Sequence, residues 1–293
     1  MLPVLGAGAL WVPNAGDGTV SRVDTTSGRV VASIKVGDPT AFTRRDMCTG
    51  GVHSYHNESI EIRICDSPSA VAVAGGAVWA AKNEDDAIVR IDPATNAVTQ
   101  TVPIGGTPWS MLGTPDELWV SDFNDDMLVR VDPATGSIVR EVTGLEHGPT
   151  EMLLTADGLW VLNYRVNRVT RLDRASARAV AVIDTDINPQ ALALVGDEVW
   201  VRTQHGMVDR IDPRANAIVG RFAASDGQGR PAVDRVAVTP SGVWFPGLTL
   251  RRFDPASLTI VAEIPVASYA VVPDADGSLW VLDVAGSLEK IRP

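Results

Sequence analysis

Positive charge, cysteine, histidine and tyrosine are all scarce in this chain of 293 residues, and each scarcity closes off a line of function. Lys and Arg total 25 against 36 Asp and Glu, a formal net charge of −11, so nonspecific attraction to phosphate backbones is unfavourable and nucleic acid is a poor partner. No long hydrophobic run is present either. The longest, Ala70–Ala81, is broken by Gly75-Gly76 and is too short to cross a bilayer, and Met1 is not followed by a basic and then apolar signal segment. A Gly-x-Ser-x-Gly elbow, a phosphate-binding glycine loop and a His-Glu-x-x-His pair are also missing, so serine hydrolase, nucleotide and zincin chemistry have no local support.

What the chain does have is tryptophan in a fixed phrase. Seven of its eight tryptophans follow an aliphatic residue and usually precede Val: Trp11, Trp79, Trp119, Trp160, Trp200, Trp244 and Trp280. The steps between them are 68, 40, 41, 40, 44 and 36 residues, a period of about forty, which fits four-stranded blades or helical pairs. Short runs of Val, Ile and Leu alternate with polar residues between Gly, Asn and Asp-Pro breaks, and no segment keeps a helical spacing for three turns, so the unit is all β. One unit reads as four strands over Ala70–Val73, Ala77–Ala81, Ile88–Ile91 and Val98–Ile104. Its last turn, Asp92-Pro93-Ala94-Thr95-Asn96, returns at Asp132, Asp212 and Asp254, and more loosely at Asp24 and Asp173. There the Asp caps a backbone N–H, Pro presets φ and the closing Gly or Asn accepts the left-handed conformation, so these aspartates are assigned to folding. The acidic bends at residues 83–86 and 122–126 lack the spacing and glycine of a calcium loop and are read as turns too.

A lone blade leaves both faces wet, whereas radial stacking buries both, with the recurrent Trp filling the space between neighbours. Seven phrases therefore predict a seven-bladed β-propeller of four-stranded antiparallel blades, one domain over 1–293, with an inserted cap loop at 38–67 between the first two blades. Because the chain ends at Pro293, the last blade has three strands or takes a fourth from chain beyond this sequence.

The phrases Leu10-Trp11-Val12-Pro13-Asn14, Gly16-Asp17-Gly18-Thr19-Val20-Ser21-Arg22-Val23-Asp24 and Val129-Arg130-Val131-Asp132-Pro133-Ala134-Thr135-Gly136 resemble YVTN-type repeats. Nearly the whole chain is similar to the propeller superfamily that includes the virginiamycin B lyase family. That resemblance implies a metal held by acidic residues, with a general-base His, on loops of the last blades. No His follows His205, and the late glutamates Glu263 and Glu289 read as strand residues, so none of those positions carries over.

The irregular residues gather in loops that such a fold puts at one face. His147, His205 and Tyr164 fall in these loops, Tyr269 starts an innermost strand, and His53, Tyr55 and His56 lie in the insertion. Short turns at the other face account for part of this bias. Cys48 and Cys65 bound an 18-residue stretch of the insertion. The preferred reading is a disulfide worth about 3 kcal/mol, implying an extracytoplasmic or secreted protein; reduced thiols or a thiolate metal site are the alternatives. Aligning the innermost strands on their Trp phrases places Trp109, Gln190, Asp234 and Tyr269 at the channel mouth, followed by Glu151 and Arg235 in a ring otherwise of small residues. Glu151 and Arg235 are read as a structural ion pair or as binding groups, and Trp109, Tyr164 and Tyr269 as walls.

Two functions follow. One is small-molecule binding at this face, extending to metal-assisted lyase or hydrolase chemistry. In it His53, His56, His147 and His205 ligate a divalent metal, His147, His205 and Glu151 act on the substrate, and Tyr164, Trp109, Gln190, Asp234, Arg235 and Tyr269 bind it. The other is a non-catalytic extracytoplasmic sensor or interaction module that takes a small molecule or peptide. A monomer is favoured.

Overall fold

The computed structural model describes residues 2–14, 17–37, 49–55, 58–63, 68–204, 206–224, 235–283 and 285–293, with backbone alone at 49–55 and 58–63. Cys48, His56, Cys65, His205 and Asp234 lie outside the described residues, so their assigned roles stay expectations.

Contacts divide the chain into two compact units, Met1–Glu141 and Val142–Pro293. The first holds β1 (Val4–Gly6), β2 (Ala9–Asn14), β3 (Thr19–Val23) and β4 (Val30–Lys35) as one sheet. The insertion follows as a separate two-stranded hairpin, β5 (Thr49–Tyr55) with β6 (Glu58–Arg63). A second blade comprises β7 (Val71–Ala74), β8 (Ala77–Lys82), β9 (Ala87–Asp92) and β10 (Ala97–Pro103). The third is β11 (Pro108–Gly113), β12 (Leu118–Asp122), β13 (Met127–Val131) and β14 (Ile138–Val142), ending at the unit boundary.

The second unit continues with β15 (Pro149–Thr155), β16 (Gly158–Asn163), β17 (Arg168–Leu172) and β18 (Ala179–Asp184). Next come β19 (Pro189–Val195), β20 (Glu198–Thr203), β21 (Met207–Asp212) and β22 (Ala217–Ala223), then β23 (Ala237–Thr239), β24 (Gly242–Phe245), β25 (Leu250–Asp254) and β26 (Thr259–Ile264). The last blade has the three strands anticipated: β27 (Ser268–Pro273), β28 (Leu279–Asp283) and β29 (Leu288–Ile291). Every blade is a plain antiparallel meander in chain order, because each connection is a short turn and sequential strands pair side by side.

The repeated Trp sits on the second strand, and all seven are 2% exposed or less. Five of them fill the gap to the next blade of their own unit. Trp11 clusters with Val71, Val78 and Val89, Trp79 with Leu118 and Val120, Trp160 with Leu192 and Val201, Trp200 with Val243 and Phe253, and Trp244 with Val271 and Val281. Burying so large a ring against a neighbouring sheet is what makes the blades mutually dependent.

Beneath each Trp runs a feature that the sequence reading did not register. In all seven blades the residue paired across the ladder from the Trp is a cation: Arg22, Arg90, Arg130, Arg171, Arg210, Arg252 and Lys290. Five of these cations lie 5.4–5.6 Å from the ring centroid, cation–π geometry. Carboxylates anchor several, as in Arg130–Glu117 at 2.7 Å, Arg210–Glu198 at 2.6 Å and Lys290–Asp274 at 2.7 Å. Two also reach the next blade. Arg22 donates to Pro93 O at 2.7 Å and Asn96 Oδ1 at 3.0 Å, and Arg171 to Pro213 O at 2.5 Å and Asn216 Oδ1 at 2.9 Å.

The Asp turns take the roles assigned to them. Asp92, Asp132, Asp212 and Asp254 each accept the N–H two residues on, at 2.8–2.9 Å, while Asp24 and Asp173 accept the N–H of Ser27 and Ser176, three residues on. The closing residues Gly28, Asn96, Gly136, Ala177, Asn216 and Leu258 all have φ between 50° and 76°.

Candidate functional site

At the opposite end of the blades the ladder breaks, and it breaks at the residues singled out from sequence. The pairing of the first two strands shifts between Pro108 and Ser110, between Pro149 and Met152, between Pro189 and Ala191, and between Ser268 and Ala270. The residues set out of register are Trp109, Thr150 with Glu151, Gln190, and Tyr269. A bulge releases a side chain from the alternation that would pack it between sheets and re-aims it, which is why bulges recur beside binding sites.

In the first unit, Trp109 on β11 is half-buried and stacks on Phe123, with centroids 5.0 Å apart and planes at 27°. His53 lies on β5 in the inserted hairpin, paired with Ile60. The remaining described candidates belong to the second unit. There the innermost strands lie in sequence, β15 against β19, β19 against β23 and β23 against β27.

Glu151 is the centre of this group. It is 9% exposed, and its Oε2 accepts the backbone N–H of Leu192 at 2.7 Å, a group on the inner edge of the next blade. Its Oε1 lies 3.5 Å from Arg235 Nε, two blades along, so the expected pairing of these two charges is present. Burial pushes the Glu151 carboxyl above the usual carboxylate range, against the opposing pull of Arg235 and the Leu192 N–H. Arg235 keeps 34% of its side chain exposed, so part of the guanidinium faces solvent.

His147 is exposed in the loop before β15. Tyr164 opens a short 3₁₀ turn, Tyr164–Val166, and its N–H donates to Gly148 O at 2.8 Å, so one hydrogen bond ties the His147 and Tyr164 loops together. In the next blade Gln204 N donates to Asn188 O at 3.0 Å, and the two side chains hydrogen-bond to each other just before Gln190. That loop is further held by Asp209, which is fully buried, pairs with Arg221, and accepts the Asp186 N–H at 2.9 Å. Asp209 was missed because its position in the repeat is filled by Ser, Val, Thr, Arg or Glu in the other blades and carries no motif.

The acidic metal site that the resemblance implies does not fit the described residues. Glu263 lies on the outer strand β26, where Arg251 pairs with it at 2.8 Å, and Glu289 is an exposed residue of β29, as expected of strand residues. Among the described residues no three of His, Cys, Asp and Glu converge closely enough to hold a metal ion.

No family model matches this chain, and no curated protein matches it in sequence. Solved structures do. A streptogramin B lyase structure aligns at 17% identity and TM-score 0.75, over 98% of this chain and 90% of that one. Virginiamycin B lyase from Staphylococcus aureus gives 16%, 0.75, 98% and 94%, and Kuenenia stuttgartiensis hydrazine synthase gives 16%, 0.74, 98% and 92%. The chain therefore has the virginiamycin B lyase-like fold, a seven-bladed β-propeller. Neighbours of different chemistry share that fold equally well, so the likeness does not select an activity.

Proposed function

We propose that the loop end of the second unit binds a small organic molecule carrying an anionic group. The support is the set of bulges, which turns Glu151, Gln190 and Tyr269 out of the ladder on three of the four innermost strands of that unit, with Arg235 just before the fourth. Arg235 is the anion receptor, held in place by Glu151. Tyr269 supplies an apolar wall, Gln190 an amide, and His147 with Tyr164 the lip. Benzoate is a suitable probe. In calorimetric titration, Arg235→Met should weaken its binding at least tenfold, whereas Arg214→Met, on an exposed turn, should not; equal affinity in both variants would overturn the assignment.

A catalytic reading rests on the raised Glu151 carboxyl, since a carboxyl shifted upward by burial is suited to proton transfer. Two structural neighbours are named as lyases, one of them of virginiamycin B. Consumption of virginiamycin B by the protein, lost in Glu151→Gln, would assign Glu151 that role. Both Glu151 oxygens are already engaged by Leu192 and Arg235, which favours binding over metal-assisted chemistry at this residue.

A further inference from the structure

The bend at residues 122–126, read from sequence as a turn, uses only half of its first carboxylate for that purpose. Asp122 ends β12 and is fully buried. Its Oδ1 accepts the N–H groups of Asn124 at 3.0 Å and Asp125 at 3.1 Å, which is the turn. Its Oδ2 is buried and finds no N–H or hydroxyl donor among the described residues, its polar neighbour being the like-charged Asp125 carboxyl. A buried carboxylate oxygen left without a donor costs a large part of its hydration energy, and native proteins seldom leave one so.

What lies beside that oxygen is negative. A β-carbon placed on Gly106 would fall 1.5 Å from Asp122 Oδ2 and 2.7 Å from Asp125 Oδ2, so two carboxylates from one loop converge over the bare α-carbon of another. Thr107, the residue after Gly106, donates to Asp86 Oδ1 at 3.3 Å, which fixes the loop that carries the glycine. Asp125 is exposed, so the pair opens to solvent on one side and is walled by Gly106 on the other.

We infer that Asp122 and Asp125 form a site for a hard divalent cation such as Ca2+, seated against Gly106 in the third blade. The oxygens lie within bridging reach of one ion, whose contacts run to about 2.3–2.6 Å, and an all-oxygen donor set selects Ca2+, Mg2+ or Mn2+ over thiophilic metals. With two carboxylates the ion keeps much of its water, and affinity is on the order of 10⁻³ M, as in weak extracellular sites. Positive charge at this point also meets the need of the buried Oδ2 without disturbing the turn held by Oδ1.

The test uses chelator-treated full-length protein and CaCl2 alone, read by calorimetry and by thermal unfolding. One saturable equivalent and a raised unfolding midpoint are expected. Asp125→Asn, an exposed change that leaves the turn donors intact, should weaken binding at least tenfold, and Gly106→Ala should abolish it by pushing Asp122 Oδ2 out of its place over Gly106. No saturable heat at about tenfold above that constant, or unchanged binding in Asp125→Asn, would overturn the site and leave the two carboxyls sharing a proton. Neither result bears on the Arg235 site, which lies in the other unit.

Discussion

The two ends of the blades solve opposite electrostatic problems. At the end bearing the Asp turns, four of the seven cations under the recurrent Trp pair with a carboxylate of their own blade: Arg130 with Glu117, Arg171 with Asp157, Arg210 with Glu198 and Lys290 with Asp274. Hydrogen bonds from Arg210 and Lys290 hold Glu198 and Asp274 below their usual range. At the loop end the acids do not repeat, and burial pushes them the other way. Glu151 is raised, and Asp122 is raised to about 6 by burial first and by the Asp125 charge in addition. The first end stores stability in repeated pairs, while the second carries stress at unrepeated positions. Stress of that kind persists where surrounding structure over-determines it, and it concentrates at functional sites.

This contrast is open to attack at three scales. The largest effect belongs to the interblade ring. Trp160→Ala should cost about 3–5 kcal/mol, because it empties the space against Leu192 and Val201 and leaves Arg171 without its stacking surface. Urea unfolding measures it, and a cost below about 1 kcal/mol would mean that the blades do not depend on one another through this residue.

The next effect is one of sign. Glu198 is lowered in the fold, so its contribution is present above its ordinary value of 4.5 and is lost as pH falls through the lower native value; Glu198→Gln should cost about 1 kcal/mol at pH 7 and progressively less in acid. Glu151 is raised, so between 4.5 and its native value the folded chain binds more protons than the unfolded one, and stability declines as pH rises across that window. Glu151→Gln should flatten this decline while keeping an acceptor for the Leu192 N–H. Parallel pH profiles for the two variants would remove the distinction between the ends.

The smallest effect tests the turns alone. Ala177 closes the Asp173 turn at φ 52°, where four of the five sibling turns use Gly or Asn. Ala177→Gly should stabilise by about 1 kcal/mol, read as a rise in unfolding midpoint. A loss instead would show that its methyl packs well enough to outweigh the backbone strain.

The blade, its turns and its count were legible before any coordinates, because each follows from a local rule repeated seven times: alternation for strands, Asp capping for turns, one buried Trp per unit. The paired cation at each Trp was equally present in the sequence, as an Arg or Lys on the third strand of every unit, but its meaning depends on ladder register. Reading the loop end of the blades went partway. Alignment on the Trp phrase picked out Trp109, Glu151, Gln190 and Tyr269, all of which the structure displaces from register. It gave no indication that a Leu192 amide would hold Glu151, since backbone donors have no signature in side-chain pattern. The 122–126 bend was read as a turn, which the N–H groups of Asn124 and Asp125 on Asp122 Oδ1 bear out, but a sequence shows a carboxylate without showing that its second oxygen is buried.

Sequence alone decided the architecture here, since periodic chemistry needs no long-range information to be recognised. Tertiary structure alone decided which charges are answered and which are not. The burial of Asp122 against Gly106, and the reach of Glu151 to Leu192 and Arg235, join residues far apart in the chain, and the energy of a charge is set by what surrounds it in space.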